Sequence, residues 1–201
     1  MKRAKLRIAA EAGFVETLVN DPGDCRRGLA FIAHPHPLHG GTMDNKVVQS
    51  IAQLCHDQGL VAVRPNFRGV GQSDGSYTGG EGETSDMLNV IAFVRSHYYP
   101  TLPIQLAGFS FGGYVQHRVA QMLCINRLIL ISPAVNLYTF GDVPPHTTII
   151  HGEDDEIVPF DDAFQFSLVQ HIPFFPIPGA GHFYHGKLAE LTTATLQACQ
   201  D

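Results

Sequence analysis

The sequence predicts an α/β protein: a mostly parallel open sheet with helices on both faces and an antiparallel hairpin at its N-terminal side. Three observations carry this reading. Short, continuous apolar runs such as Gly28-Leu29-Ala30-Phe31-Ile32-Ala33 have the pattern of strands buried on both faces. Segments of helical periodicity alternate with those runs, which calls for crossover connections between parallel strands. The length, 201 residues without linker, repeat or low-complexity tract, suits one domain spanning 1–201.

In order along the chain, Leu6-Arg7-Ile8-Ala9 and Phe14 to Val19 are β-prone and flank Glu11-Ala12-Gly13, hence the hairpin. Asn20-Asp21-Pro22-Gly23-Asp24 reads as the turn that closes it. The strand 28–33 follows. Val47, Val48, Ile51, Ala52, Leu54 and Cys55 mark a helix face ending near Gly59, and Leu60-Val61-Ala62-Val63 a strand. The Gly-rich stretch Gly69 to Gly82 reads as a long loop on the ligand side. Met87, Val90, Ile91 and Val94 then give a helix before the strand Ile104 to Ala107, and Tyr114 to Leu123 a helix before Leu128 to Ile131. The pattern closes with a strand at 147–150, a helix from about Phe160 to His171, a short strand at Phe174 to Ile177 and a helix through Leu188, Leu191 and Leu196.

Composition excludes several classes. Thirteen Lys and Arg against 19 Asp and Glu give a net charge of −6 with no basic cluster, so nucleic acid is not an expected partner. Glu11 and Glu16 interrupt any apolar segment after the basic start Met1-Lys2-Arg3-Ala4-Lys5, and no window is apolar enough to span a bilayer. A cytoplasmic protein without membrane partners is therefore expected. Cys25, Cys55, Cys124 and Cys199 lie far apart and read as reduced, structural thiols.

In such sheets ligands bind beyond the carboxyl ends of the strands, so the residues that follow each strand carry the chemistry. After the strand at 104–107 comes Gly108-Phe109-Ser110-Phe111-Gly112, a G-x-S-x-G turn into a helix, which presents the Ser110 hydroxyl as a candidate nucleophile. A serine needs a base to take its proton, and the base needs a group to fix its tautomer. Beyond the strand 147–150 lies His151-Gly152-Glu153-Asp154-Asp155-Glu156, where Asp155 best fits the orienting acid. Glu153, Asp154 and Glu156 read as solvated or as capping the next helix. Beyond the last strand, Gly179-Ala180-Gly181-His182 places His182 as the base, with His185 an exposed or capping residue.

The order Ser110, Asp155, His182, together with the elbow, resembles the nucleophile-acid-base order of the α/β-hydrolase superfamily over nearly the whole chain. The segments His34-Pro35-His36-Pro37-Leu38-His39-Gly40-Gly41-Thr42-Met43-Asp44-Asn45-Lys46 and Asn66-Phe67-Arg68-Gly69-Val70-Gly71-Gln72-Ser73 are similar to signatures of its small, lidless bacterial members, described as predicted esterases of the dienelactone-hydrolase-like kind. The resemblance implies an α/β-hydrolase fold and a serine esterase acting on a small ester or thioester without a cofactor. Non-catalytic binding on the same fold is the alternative. The oxyanion donors it implies are the backbone N–H groups of Phe111 and of His36, with the His39-Gly40-Gly41 region as a rival source of the second.

His34, His36 and His39 also form H-x-H-x-x-H, but serine chemistry needs no ion and no metal is expected. Arg68 and Lys46 could each bind a substrate carboxylate or face solvent; Arg68 is expected to anchor its own Gly-rich loop, and Lys46 is left undecided. The stretch 136–146, where larger members insert a lid, is too short for a helical cap. An open cleft bordered by Leu38, Phe109, Tyr138 and Phe183 is the expectation, suited to short acyl chains.

Overall fold

The computed structural model describes residues 2–98 and 101–199. Among these, eight strands form one sheet in the order β1-β2-β4-β3-β5-β6-β7-β8. The hairpin is β1 (Lys2–Ala10) and β2 (Gly13–Asp21), paired antiparallel, and β2 also pairs antiparallel with β4 (Leu60–Pro65). From β4 onward every pairing is parallel: β3 (Gly28–Ala33), β5 (Ile104–Phe109), β6 (Arg127–Ile131), β7 (Thr147–Gly152) and β8 (Phe174–Ile177).

Alternation along the strands divides the interior into two cores. Leu29, Phe31, Leu106, Leu128 and Leu130 face α2 (Glu81–Tyr98) and α3 (Phe111–Ala120), while Ala30, Ile32, Ala107, Ile129 and Ile131 face α1 (Lys46–Asp57) and α5 (Leu188–Ala198). Helix α4 (Phe160–Gln170) packs on β7. The strand order reverses at β3, which has β4 on one side and β5 on the other, so the loops leaving β3 and β5 diverge and open a crevice at their carboxyl ends.

Several boundaries differ from the sequence reading: strands read as 6–9, 60–63, 104–107 and 147–150 run 2–10, 60–65, 104–109 and 147–152, and three further differences have a visible cause. Strand β2 runs through Asp21, inside the expected turn; the Asp21 carboxylate then accepts the Gly23 N–H and pairs with Arg26 at 2.6 Å. Helix α2 begins at Glu81, within the Gly-rich stretch, because the buried Glu83 carboxylate accepts the N–H groups of Thr78 and Gly80. Helix α3 begins at Phe111 and ends at Ala120, earlier at both ends than the apolar spacing suggests, since Gly112 and Gly113 mask its first turn in sequence.

The segment between β6 and β7 contains bends and turns but no helix, so the fold has no lid. No helix among the described residues is long and apolar enough to cross a membrane.

Candidate active site

The crevice is built around Ser110, which joins β5 to α3 at φ 56° and ψ −118°, a conformation L-residues seldom adopt. The flanking glycines make the turn possible. A Cβ on Gly108 would lie 2.2 Å from the Gly112 carbonyl oxygen, and one on Gly112 would lie 2.5 Å from that of Ala33 at the end of β3. The Ser110 N–H is tied to the Ile131 carbonyl at 2.9 Å, whereas its side chain makes no capping bond to α3, which leaves the hydroxyl uncommitted to the helix. Ser132 (φ 39°) and Tyr184 (φ 53°) are also at positive φ, and their hydroxyls meet at 2.9 Å.

Of the four acids after β7, only Asp155 is buried. Its carboxylate accepts the N–H groups of Ile157 (3.0 Å) and Val158 (2.8 Å) and meets His182 Nδ1 at 2.8 and 3.0 Å. Burial alone would raise the Asp155 carboxyl; the His182 ring and the two amides outweigh it and hold the group below the ordinary carboxylate range. Asp155 therefore stays charged, which fixes the His182 proton on Nδ1 and leaves Nε2 with a lone pair. The His182 ring sits over Phe109, with centroids 5.0 Å apart. A second histidine, His151, lies 3.5 Å from the same carboxylate, but its Nε2 donates to the Val158 carbonyl and burial lowers its pKa, so it packs beneath the pair as a neutral ring.

Glu156 is exposed, as a solvated acid is expected to be, yet its carboxylate also accepts the His182 backbone N–H at 3.1 Å. A Cβ on Gly181 would come within 2.8 Å of that carboxylate, so the Glu156 side chain would have to shift to admit one. His185 is exposed, as expected.

The loop after β3 is held from both sides. His34 donates from Nδ1 to the Pro35 carbonyl (2.7 Å) and accepts the Phe67 N–H at Nε2 (2.9 Å), and burial lowers its pKa to about 4. Both ring nitrogens are committed to backbone. His36 accepts the Leu38 N–H at Nδ1 and so donates from Nε2 to Tyr77, which meets Tyr138 at 3.2 Å. The His36 carbonyl takes the N–H groups of His39 and Gly41, so Gly41 has no free amide, whereas the amide of His36 has no acceptor among the described residues. Arg68 pairs with Asp86 through two 2.8 Å bonds and anchors its loop to α2.

Ser110 and His182 line one cavity of about 560 Å³ with His36, His39, Asn45 and Tyr138. Phe111, Leu137, Ile157 and Phe183 add apolar wall, and no carboxylate lines it among the described residues. Two expected wall residues are absent. Leu38, at the middle of the 3₁₀ turn Pro37–His39, is 69% exposed and points away, because only residues three apart, His36 and His39, share a face of such a turn. Phe109 is fully buried under the His182 ring, since it still belongs to β5 and packs into the sheet. Leu137, Ile157, Asn45 and His39 were not legible as walls, as loop residues carry no periodicity to reveal them.

The family described as X-Pro dipeptidyl-peptidase (S15 family) matches residues 20–140. A Xanthomonas campestris structure described as an α/β serine hydrolase without lid is 35% identical, covering 100% of this chain and 94% of that one with a TM-score of 0.95. An α/β serine hydrolase homologue from Coxiella burnetii is 37% identical, covering 98% of this chain and 97% of that one, with a TM-score of 0.92. An uncharacterized protein of Rickettsia prowazekii is 34% identical across 83% of this chain and 76% of its own.

Proposed function

This chain belongs to the X-Pro dipeptidyl-peptidase (S15) family and has a lidless α/β-hydrolase fold, and from that premise we propose that it is a serine hydrolase cleaving short-chain carboxylic esters or thioesters. The observation that carries the reading is His182, which lines the same cavity as the strained, uncapped Ser110 and is held from behind by the buried Asp155 carboxylate at 2.8 Å.

In this reading Ser110 Oγ bonds to the acyl carbon while its proton passes to His182 Nε2. Asp155 keeps the imidazole in the tautomer that can accept it and stabilises the imidazolium that results. The carbonyl oxygen becomes an oxyanion that receives the N–H groups of Phe111 and His36, the first aided by the N-terminal end of α3. Collapse expels the leaving oxygen or sulfur with the proton from His182, and water repeats the cycle on the acyl-enzyme. Tyr138 and Phe183 border the substrate.

An ester is favoured over an Xaa-Pro peptide because a dipeptidyl-peptidase must recognise a free α-ammonium, and no carboxylate lines the cavity among the described residues. The family match, moreover, stops before Asp155 and His182. The test is a fluorophosphonate probe combined with p-nitrophenyl butyrate and an Xaa-Pro-p-nitroanilide. An adduct on Ser110 with butyrate turnover, both lost in Ser110→Ala, is the expected result. An adduct on another serine, or turnover of the anilide alone, would reject it.

A further inference from the structure

A second, smaller cavity of about 160 Å³ adjoins the first, and its walls include Lys46 and His185. The two cavities share Asn45 and Phe183, so the smaller one borders the cavity that Ser110 lines.

The charge around it is one-sided. The chain carries 19 Asp and Glu and a net charge of −6, yet no carboxylate lines either cavity among the described residues. Lys46 is exposed and enters no ion pair among those residues, unlike Lys187, which pairs with Glu190 at 3.5 Å. Asn45 spends its side-chain oxygen on the Val47 N–H (2.9 Å), which leaves its NH₂ group as a donor. His185 is exposed and stacked on Phe183 with centroids 6.0 Å apart, another ring N–H beside an apolar wall. The site thus offers one full positive charge and neutral donors in a space suited to a small group.

Resting on the hydrolase reading above, we propose that this side cavity receives a carboxylate carried by the ester substrate, with Lys46 as its charged partner and Asn45 and His185 as further donors. The natural substrates would then be esters or thioesters of dicarboxylic acids, or esters whose alcohol portion is acidic.

The experiment compares kcat/KM for mono-p-nitrophenyl glutarate with that for its methyl-capped diester, and for p-acetoxybenzoate with that for its methyl ester. The first pair places the anion on the acyl side, the second on the leaving group. In one of the pairs the anionic ester should be preferred roughly threefold to fivefold, the scale of a solvent-exposed ion pair. That preference should shrink with added salt and vanish in Lys46→Met, while the neutral esters react as in the wild type. Equal rates in both pairs, or a preference that survives Lys46→Met, would overturn the proposal. Should no ester of either charge turn over, it is the hydrolase reading that fails, and the subsite is read separately by NMR titration with glutarate. Amide shifts at Lys46 and His185 that disappear in Lys46→Met would uphold the subsite, and their absence would overturn it.

Discussion

His34 gives the loop after β3 a built-in sensitivity to acid. Its ring is fully buried, with both nitrogens bonded to backbone in a pattern only the neutral form can satisfy: Nδ1 donates to Pro35, and Nε2 accepts from Phe67. Burial lowers its folded-state pKa from 6.5 to about 4. Between those two values the unfolded chain binds a proton that the folded protein refuses, so stability is fully present above the upper value and is lost as pH falls toward the lower. From about pH 7 to about pH 5 the loss works out at about 2 kcal/mol. Urea denaturation of the wild type and of His34→Gln at both pH values isolates it. At neutral pH the variant should be less stable by about 1–3 kcal/mol, for the backbone bonds it disturbs. Acidification should then take about 2 kcal/mol less from the variant than from the wild type. His117, His151, Glu16 and Asp155 also have lowered pKa values and are present in both proteins, so their shared acid sensitivity cancels in the comparison. Equal acid losses in the two proteins would show that His34 does not hold its proton balance as argued.

Asp155→Asn should lower kcat by about 10³–10⁴-fold, because the amide no longer enforces the His182 tautomer, whereas the exposed Asp154→Asn should change it several-fold at most. Equal effects in steady-state assays would move the orienting role away from Asp155. Glu156→Ala should lower kcat about tenfold with little change in KM, and Glu156→Gln, which keeps an acceptor for the His182 N–H, should restore it. Failure of the glutamine to rescue would point to the charge of Glu156 and not to its hydrogen bond. Along a p-nitrophenyl ester series, kcat/KM should stop rising at butyrate, because Leu137, Ile157 and Phe183 stand at an open rim, 64%, 40% and 38% exposed, with no lid to enclose a longer chain. A steady gain of about 0.8 kcal/mol per methylene through dodecanoate would reveal a tunnel.

What the sequence made legible follows from where physical constraint is local. The strands at 28–33, 60–65 and 147–152 are buried on both faces, and each was legible from its apolar or β-branched stretch, 28–33, 60–63 and 147–150. The G-x-S-x-G turn is visible because the backbone at Gly108 and Gly112 excludes any side chain. Asp155 and His182 could be chosen because each follows a strand end, and the topology brings those ends together. Side-chain direction within a loop obeys no such rule. Leu38 and Phe109 sit beside His39 and Ser110 in sequence, yet one points to solvent and the other into the sheet. The role of Glu156 was equally hidden, since its partner is a backbone amide 26 positions away.

The two signature segments act as scaffold for the chemistry. The H-P-H-P run and the F-R-G run leave adjacent strands, β3 and β4, and are bolted to each other by the His34–Phe67 bond and by Asn66, whose side chain accepts the Met43 N–H at 2.8 Å. Behind them, buried Glu16 accepts from the Asn66 side chain (2.7 Å) and the Gln72 amide (2.9 Å), while Arg68 locks the same loop to α2 through Asp86. A lidless site cannot draw on closure to order the loop after β3 when substrate arrives. The order has to be present beforehand, and buried polar bonds supply it because each would leave an unpaired group if the loop moved. In the proposed mechanism, conformational stiffness of the 34–45 loop, not closure of a cap, is therefore what would hold the His36 amide ready for the oxyanion.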